Sequence, residues 1–130
     1  MDDAEIVDLA RETVERSYAP YSEYRVGAAL LADDGAVYSG CNVENANYSN
    51  SVHAEELALA KAVEDGRREF EALAVVSSRR DGVTPCGMCR QSLVEFDGGS
   101  LRILCDGDGA IERYTLEELL PASFSGRYLE

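Results

Sequence analysis

Apolar residues recur along this chain with two different periods, and the switches between them mark out its elements. Ile6, Leu9, Ala10 and Val14 fall at helical spacing and predict an amphipathic first helix running to about Ser17, with Pro20 closing the region. Arg25 to Ala32 (RVGAALLA) is apolar on nearly every position, as in a strand covered on both faces. Asp33-Asp34-Gly35 is a turn, and Ala36 to Cys41 returns as a second strand. The polar stretch Asn42 to Ser51 (NVENANYSNS) is too long for a plain connector, which marks it as functional. Asn50 or Ser51 then caps a helix carried by Leu57, Leu59, Ala60 and Val63 to a stop at Gly66. Ala72 to Ser77 predicts a buried strand. Thr84-Pro85 reads as a cap with proline at the first helical position, opening a helix from Cys86 to about Phe96. Asp97-Gly98-Gly99 breaks it. Leu101 to Cys105 and Ile111 to Tyr114 are the fourth and fifth strands, with the intervening Asp106-Gly107-Asp108-Gly109 a hairpin turn. Thr115 and Glu118 form a capping box for a last short helix before Pro121.

Helices alternating with strands after an initial hairpin predict an α/β fold: one mixed five-stranded sheet with helices on its faces, in three α/β/α layers. At 130 residues a single domain spanning 1–130 is expected, large enough for its own core. The acidic start (Asp2, Asp3, Glu5) is unlike a signal peptide, and no apolar run approaches a membrane span, so a cytoplasmic protein is expected.

The charge narrows the partners. Twelve basic against twenty-five acidic residues give a net charge of −13, and Lys61 is the only lysine. Nucleic-acid binding needs clustered cations to displace counterions, so a polynucleotide partner is disfavoured and a small uncharged substrate fits better. The acid-rich, lysine-poor composition resembles that of salt-adapted proteins. Among the four cysteines, Cys41 and Cys105 end apolar runs and read as core residues. Cys86 and Cys89 form a C-x-x-C on the first turn of a helix, where the helix terminus favours thiolates. By itself this pair suits zinc, a redox disulfide or neither.

His53 is the only histidine, and Glu55 follows it at +2. With Cys86 and Cys89 it would complete a three-ligand set for zinc, leaving one position open as catalytic zinc requires. Glu55 would then carry a proton to and from the reacting water. The spacing carries a tension: inside a helix, residues two apart point about 200° away from each other, so His53 and Glu55 converge only if His53 sits at the helix edge. Glu56 reads as an ordinary first-turn acid. A redox protein, or a zinc-stabilised binding module with a closed four-ligand site, remains open at this point.

The combination His53-Ala54-Glu55 with Pro85-Cys86-Gly87-Met88-Cys89 resembles the signature of the zinc nucleobase deaminases. Together with Tyr18-Ala19-Pro20-Tyr21-Ser22, Cys41-Asn42-Val43-Glu44-Asn45-Ala46 and Leu119-Leu120-Pro121, it is similar to the short, single-domain cytidine deaminases over nearly the whole chain. The resemblance implies hydrolytic deamination of cytidine, and of deoxycytidine, in pyrimidine salvage. It implies one zinc ion per chain held by His53, Cys86 and Cys89, with hydroxide attacking C4 and Glu55 as proton shuttle. Asn42 and Glu44 would bind the ribose hydroxyls, Ala54 would contact the base through its backbone, and Tyr24 would lie against the pyrimidine. Phe124 would cover the site of a neighbouring subunit in a homotetramer. Blasticidin-type and nucleotide deaminases are the close alternatives, although Glu44 at the sugar would repel phosphate. The short family members usually use three cysteines and carry arginine where this chain has Glu56. With histidine replacing one thiolate, the zinc site carries one fewer negative charge and can dispense with one arginine, leaving Arg90 as the nearby cation. His53→Cys alone is therefore expected to lower turnover.

Overall fold

The computed structural model describes residues 1–130. Helix α1 (Asp3–Thr13) is opened by Asp2, whose carboxylate accepts the Glu5 N–H while Glu5 reaches back to the Asp2 N–H. A 3-10 turn, Val14–Arg16, extends it to Ser17. Strands β1 (Val26–Ala32) and β2 (Val37–Cys41) form the expected hairpin. Helix α2 (Ala54–Glu64), strand β3 (Phe70–Ser77), helix α3 (Gly87–Val94), strands β4 (Arg102–Asp106) and β5 (Ile111–Thr115) and helix α4 (Leu116–Leu119) follow.

The five strands form one sheet in the order β2-β1-β3-β4-β5. Only β3 and β4 run parallel; the remaining pairs are antiparallel. The sheet is therefore mixed, as expected. Side-chain alternation along its central strands separates two cores. Ala29 and Leu31 of β1, Ala72, Ala74 and Val76 of β3, and Leu104 of β4 pack with Ile6, Val7, Ala10 and Val14 of the first helical region. On the other face Ala28, Leu30, Leu73, Val75, Ile103 and Cys105 meet Ala54, Ala58, Leu59 and Ala62 of α2 and Leu93 of α3. Both faces are covered, so β1 and β3 read as continuous apolar runs, and the three layers follow.

Several boundaries differ from the sequence expectation. Strand β3 starts at Phe70, two residues early, because Phe70 pairs with Ala32 across a register shift in β1. Helix α2 is capped by His53, not by Asn50 or Ser51. Val52 is held extended by two backbone hydrogen bonds to Val43, both 2.9 Å, which delays helix entry. Helix α3 is capped by Cys86, not Thr84, and Pro85 lies outside it. Thr84 is otherwise occupied: its hydroxyl accepts a hydrogen bond from Arg90 at 2.8 Å. Cys105 is fully buried as expected, but Cys41 is only half-buried, at the end of the edge strand. The expected capping box of Thr115 and Glu118 is present, and residues 107–110 turn the hairpin between β4 and β5.

Candidate active site and metal centre

The ends of two helices build the reactive corner. His53 and Cys86 are the N-cap residues of α2 and α3, and both have extended backbone, with φ, ψ of −83°, 152° and −68°, 169°. A cap residue is not yet committed to the helical screw, so its side chain can turn across the helix mouth. His53 Nδ1 lies 3.2 Å from Cys86 Sγ and 3.4 Å from Cys89 Sγ. The cap position also removes the divergence expected between His53 and Glu55: the 100° step per residue begins only after His53, and both residues line the same cavity.

The three donor atoms all lie within 4.8 Å of one another. One imidazole nitrogen and two sulfurs at that separation suit a tetrahedral zinc ion, with a fourth position left for chemistry. The electrostatics agree. Cys89 is almost fully buried, and burial, reinforced by Glu55 and Cys86, pushes its thiol far above its ordinary value. A thiolate at that place needs a cation beside it. Cys105, on β4 in the core beneath α2 and α3, is likewise raised, to about 12, by burial. No residue other than His53, Cys86 and Cys89 completes such a cluster.

Glu55 is 6% exposed, one of only two buried polar side chains in the protein. Burial raises its carboxyl above the ordinary 4.5, against a lowering contribution from its own backbone N–H. Arg90 does not reach the sulfurs through any hydrogen bond. Its guanidinium donates to the Pro85 carbonyl at 2.6 Å, the Thr84 hydroxyl at 2.8 Å and the Leu119 carbonyl at 2.7 Å. It braces the loop that delivers Cys86.

The cavity beside this corner has a volume of about 500 Å³, which suits a small molecule. Tyr24, Asn42, Glu44, Ala54 and Glu55 all line it with His53 and Cys86, so most of the expected residues converge. Phe124 does not line it; it stands more than half exposed, stacked on Tyr128 at 5.5 Å. Asn42 is more committed than its composition suggested. Its Oδ1 accepts the Val26 N–H at 2.9 Å and its Nδ2 donates to the Tyr24 carbonyl at 2.8 Å, tying the loop before β1 to the end of β2. Glu44 accepts from the backbone N–H groups of Tyr21 and Ser22, at 2.9 and 3.1 Å, and from the Ser22 hydroxyl. Those bonds, the hydroxyl's first among them, hold its carboxyl below the usual range.

Sequence reasoning singled out neither Tyr48, Val52, Val83 and Thr84 nor Tyr21 and Ser22 as individual lining residues. The over-long polar stretch 42–51 is a signal for Tyr48, and the Tyr-Ser pair after Pro20 for Tyr21 and Ser22; Val52, Val83 and Thr84 carry no such signal. Glu56 is more than a first-turn acid. Its Oε1 accepts the His53 backbone N–H at 2.9 Å.

Residues 1–105 match the family described as the cytidine and deoxycytidylate deaminase zinc-binding region. A cytidine deaminase of Sporosarcina psychrophila is 48% identical over 126 residues, covering 96% of this chain and 93% of the relative. One from Halalkalibacterium halodurans is 42% identical over 126 residues, 96% of each chain. The crystal structure of cytidine deaminase from Burkholderia pseudomallei superposes with a TM-score of 0.89 at 38% identity, covering 95% of this chain and all of that one. The imidazole, the two sulfurs and the buried carboxylate thus stand in a fold and a sequence context shared with zinc-dependent enzymes, and the chain belongs to the cytidine and deoxycytidylate deaminase family.

Proposed function

We propose that this protein hydrolyses cytidine, and deoxycytidine with it, to the uridine product and ammonia, with zinc as cofactor and Glu55 as proton carrier. The observation that carries this reading is the convergence of His53, Cys86 and buried Glu55 on one cavity that Asn42 and Glu44 also line.

His53 Nδ1 and the sulfurs of Cys86 and Cys89 would hold the zinc. When bound, zinc supplies the Lewis acidity that brings the pKa of a water from about 16 to about 7. Glu55 takes the proton released as the water's oxygen bonds to C4 of the pyrimidine, and delivers it to ring nitrogen N3. It then takes the second proton from the hydroxyl now on C4 and passes it to the exocyclic amine, which leaves as ammonia as the C4–N bond breaks and the C4 carbonyl forms. A buried carboxyl with a raised pKa serves this exchange better than an exposed one, because a proton carrier works best near the operating pH. Ala54, at the first position of α2, has a backbone N–H with no partner inside the helix and can meet the base. Tyr24 offers an aromatic wall to the ring. Glu44, ionised, accepts from sugar hydroxyls and repels phosphate, which favours nucleosides over nucleotides.

Phe124, Tyr128 and Leu129 form an exposed apolar patch, 56%, 56% and 80% accessible. We read it as a subunit contact of a homotetramer in which Phe124 reaches a neighbouring site. No helix is long and apolar enough to cross a membrane, and a cytoplasmic role in pyrimidine salvage fits the reaction.

The test is to incubate metal-analysed protein with cytidine, deoxycytidine and cytidine monophosphate and follow the uridine products. Conversion of both nucleosides but not the nucleotide, with about one zinc per chain, is expected. Folded, zinc-loaded protein that leaves both nucleosides untouched would overturn the reading. Sedimentation of the same sample tests the tetramer.

A further inference from the structure

Glu56 is the one member of the run His53-Ala54-Glu55-Glu56 with no part in the chemistry above, yet it makes a specific bond. From the third position of α2 its Oε1 accepts the backbone N–H of His53 at 2.9 Å. The surrounding backbone is closed on every other side. Val52 exchanges both its N–H and its carbonyl with Val43 at 2.9 Å, and the His53 carbonyl accepts the Leu57 N–H at 3.0 Å. Of the backbone polar groups of residues 52 and 53, only the His53 N–H depends on a side chain. That N–H sits where the extended segment turns into the helix. Its direction sets the Cα–Cβ bond of His53, leaving two side-chain torsions to bring Nδ1 to the sulfurs. Cys86 and Cys89 are carried by a different helix and cannot follow a displaced imidazole. Histidine is also a poor N-cap by type, since capping favours Ser, Thr, Asp and Asn. Its imidazole Nδ1 is turned to Cys86 and Cys89, so the reach-back from the third position matters more here than at an ordinary helix start.

We propose that Glu56 is a positioning residue of the metal centre: by accepting the His53 backbone N–H it aims the imidazole at the two cysteines. The proposal rests on the reading of His53, Cys86 and Cys89 as the zinc ligands. Partners of this outer kind, which orient a ligand without touching the metal, typically change metal affinity by about 10- to 100-fold when removed.

The rival explanation is charge, because a carboxylate near the site also acts on the metal through space. Two variants separate them. Glu56→Gln keeps an acceptor oxygen at the same reach and removes the charge. Glu56→Asp keeps the charge and a residue that suits a helix N-terminus, but withdraws the acceptor by one methylene. Zinc dissociation constants are measured by chelator competition on full-length protein. Cobalt(II)-substituted samples report ligand geometry through their visible absorption bands, and apo thermal midpoints report the helix cap alone. Glu56→Gln is expected to stay within about threefold of the parent, while Glu56→Asp weakens zinc about tenfold and shifts the cobalt bands. Unchanged zinc affinity and cobalt spectrum in Glu56→Asp would overturn the proposal, even if the apo midpoint fell. So would Glu56→Gln weaker than Glu56→Asp. His53→Ala is measured alongside. If it bound zinc like the parent, the ligand assignment itself would fail, an outcome distinct from failure of the Glu56 proposal.

Discussion

Gly40 of β2 lies so close to the first turn of α2 that a methyl group on it would sit 2.2 Å from the Ala54 carbonyl oxygen and 2.6 Å from the Ala58 nitrogen. Both are backbone atoms, which cannot swing aside. The absent side chain therefore sets how near α2 approaches the sheet edge, and with it the position of His53. Gly40→Ala is expected to destabilise the protein by about 1–3 kcal/mol or more, and to weaken zinc binding because His53 moves with the helix. Denaturant unfolding and zinc stoichiometry check it; parent-like values for both would show that α2 can shift without consequence.

Removing the proposed proton carrier should separate metal binding from chemistry. Glu55→Gln is nearly isosteric and relieves a buried carboxyl of its desolvation, so folding and zinc content are expected to be retained. Turnover of cytidine should fall by at least about 10²- to 10⁴-fold, the usual contribution of a positioned acid–base group. Single-turnover rates on zinc-loaded protein give the comparison, and a near-normal rate would remove Glu55 from the mechanism.

Asn42 and Glu44 line the cavity together but should respond differently. Asn42 supports backbone on both sides through two hydrogen bonds, so Asn42→Ala should cost about 2 kcal/mol of stability, at about 1 kcal/mol per bond, besides any loss of binding. Glu44→Gln keeps one oxygen for the Tyr21 and Ser22 N–H groups, which share Oε1, and sets its amide against the Ser22 hydroxyl, which can turn to accept, so stability should fall less than in Asn42→Ala while the sugar hydroxyls lose a charged acceptor. KM for cytidine should rise about tenfold or more, with a smaller change in kcat. Steady-state kinetics with thermal melts would distinguish the two; equal stability losses would contradict the assignment.

The depressed pKa of Glu44 also sets a pH dependence. Because its folded value lies below 4.5, the carboxylate is ionised throughout the neutral range and is protonated only as pH falls through that lowered value. Its contribution to nucleoside binding should be constant from about pH 8 down to about pH 5 and decline only below. Inhibition by a non-reactive cytidine analogue, measured across that range, tests it. A binding transition near pH 6 that disappears in Glu44→Gln would reverse the sign of the shift.

Arg90 fans out to Pro85, Thr84 and Leu119. A planar fork makes that pattern and a point charge does not. Arg90→Lys should therefore fail to rescue, lowering the melting temperature and loosening zinc nearly as much as Arg90→Met. A lysine variant equal to the parent would mean that positive charge alone matters there.

A net charge of −13 on 130 residues imposes self-repulsion that salt screens. The melting temperature should rise between about 20 mM and about 1 M sodium chloride, where the Debye length shrinks from over 20 Å to about 3 Å. Calorimetry gives the answer directly, and a falling midpoint would indicate that specific ion pairs such as Asp3 with Arg102 and Arg113 outweigh the repulsion.

Periodicity alone determined the element order, because the pleat of a strand and the turn of a helix impose their spacing on which residues are apolar. Continuous apolar runs in β1 and β3 required cover on both faces, hence three layers. The candidate site was legible for a different reason: a single histidine, a carboxylate two residues on and a C-x-x-C are scarce residue types, and with the flanking motifs they resemble one family. Tertiary structure decided what depends on atoms distant in sequence. Val43, pairing with Val52, postponed the start of α2 from Ser51 to beyond His53, and only that delay lets His53 and Glu55 share a cavity. Arg90 drew the Thr84 hydroxyl away and passed the cap to Cys86. In sequence Glu56 is any first-turn acid; only the fold places its carboxylate on the His53 N–H. A cap's choice of partner is a competition among hydrogen bonds about equal in strength, and neighbours brought near by the fold settle it.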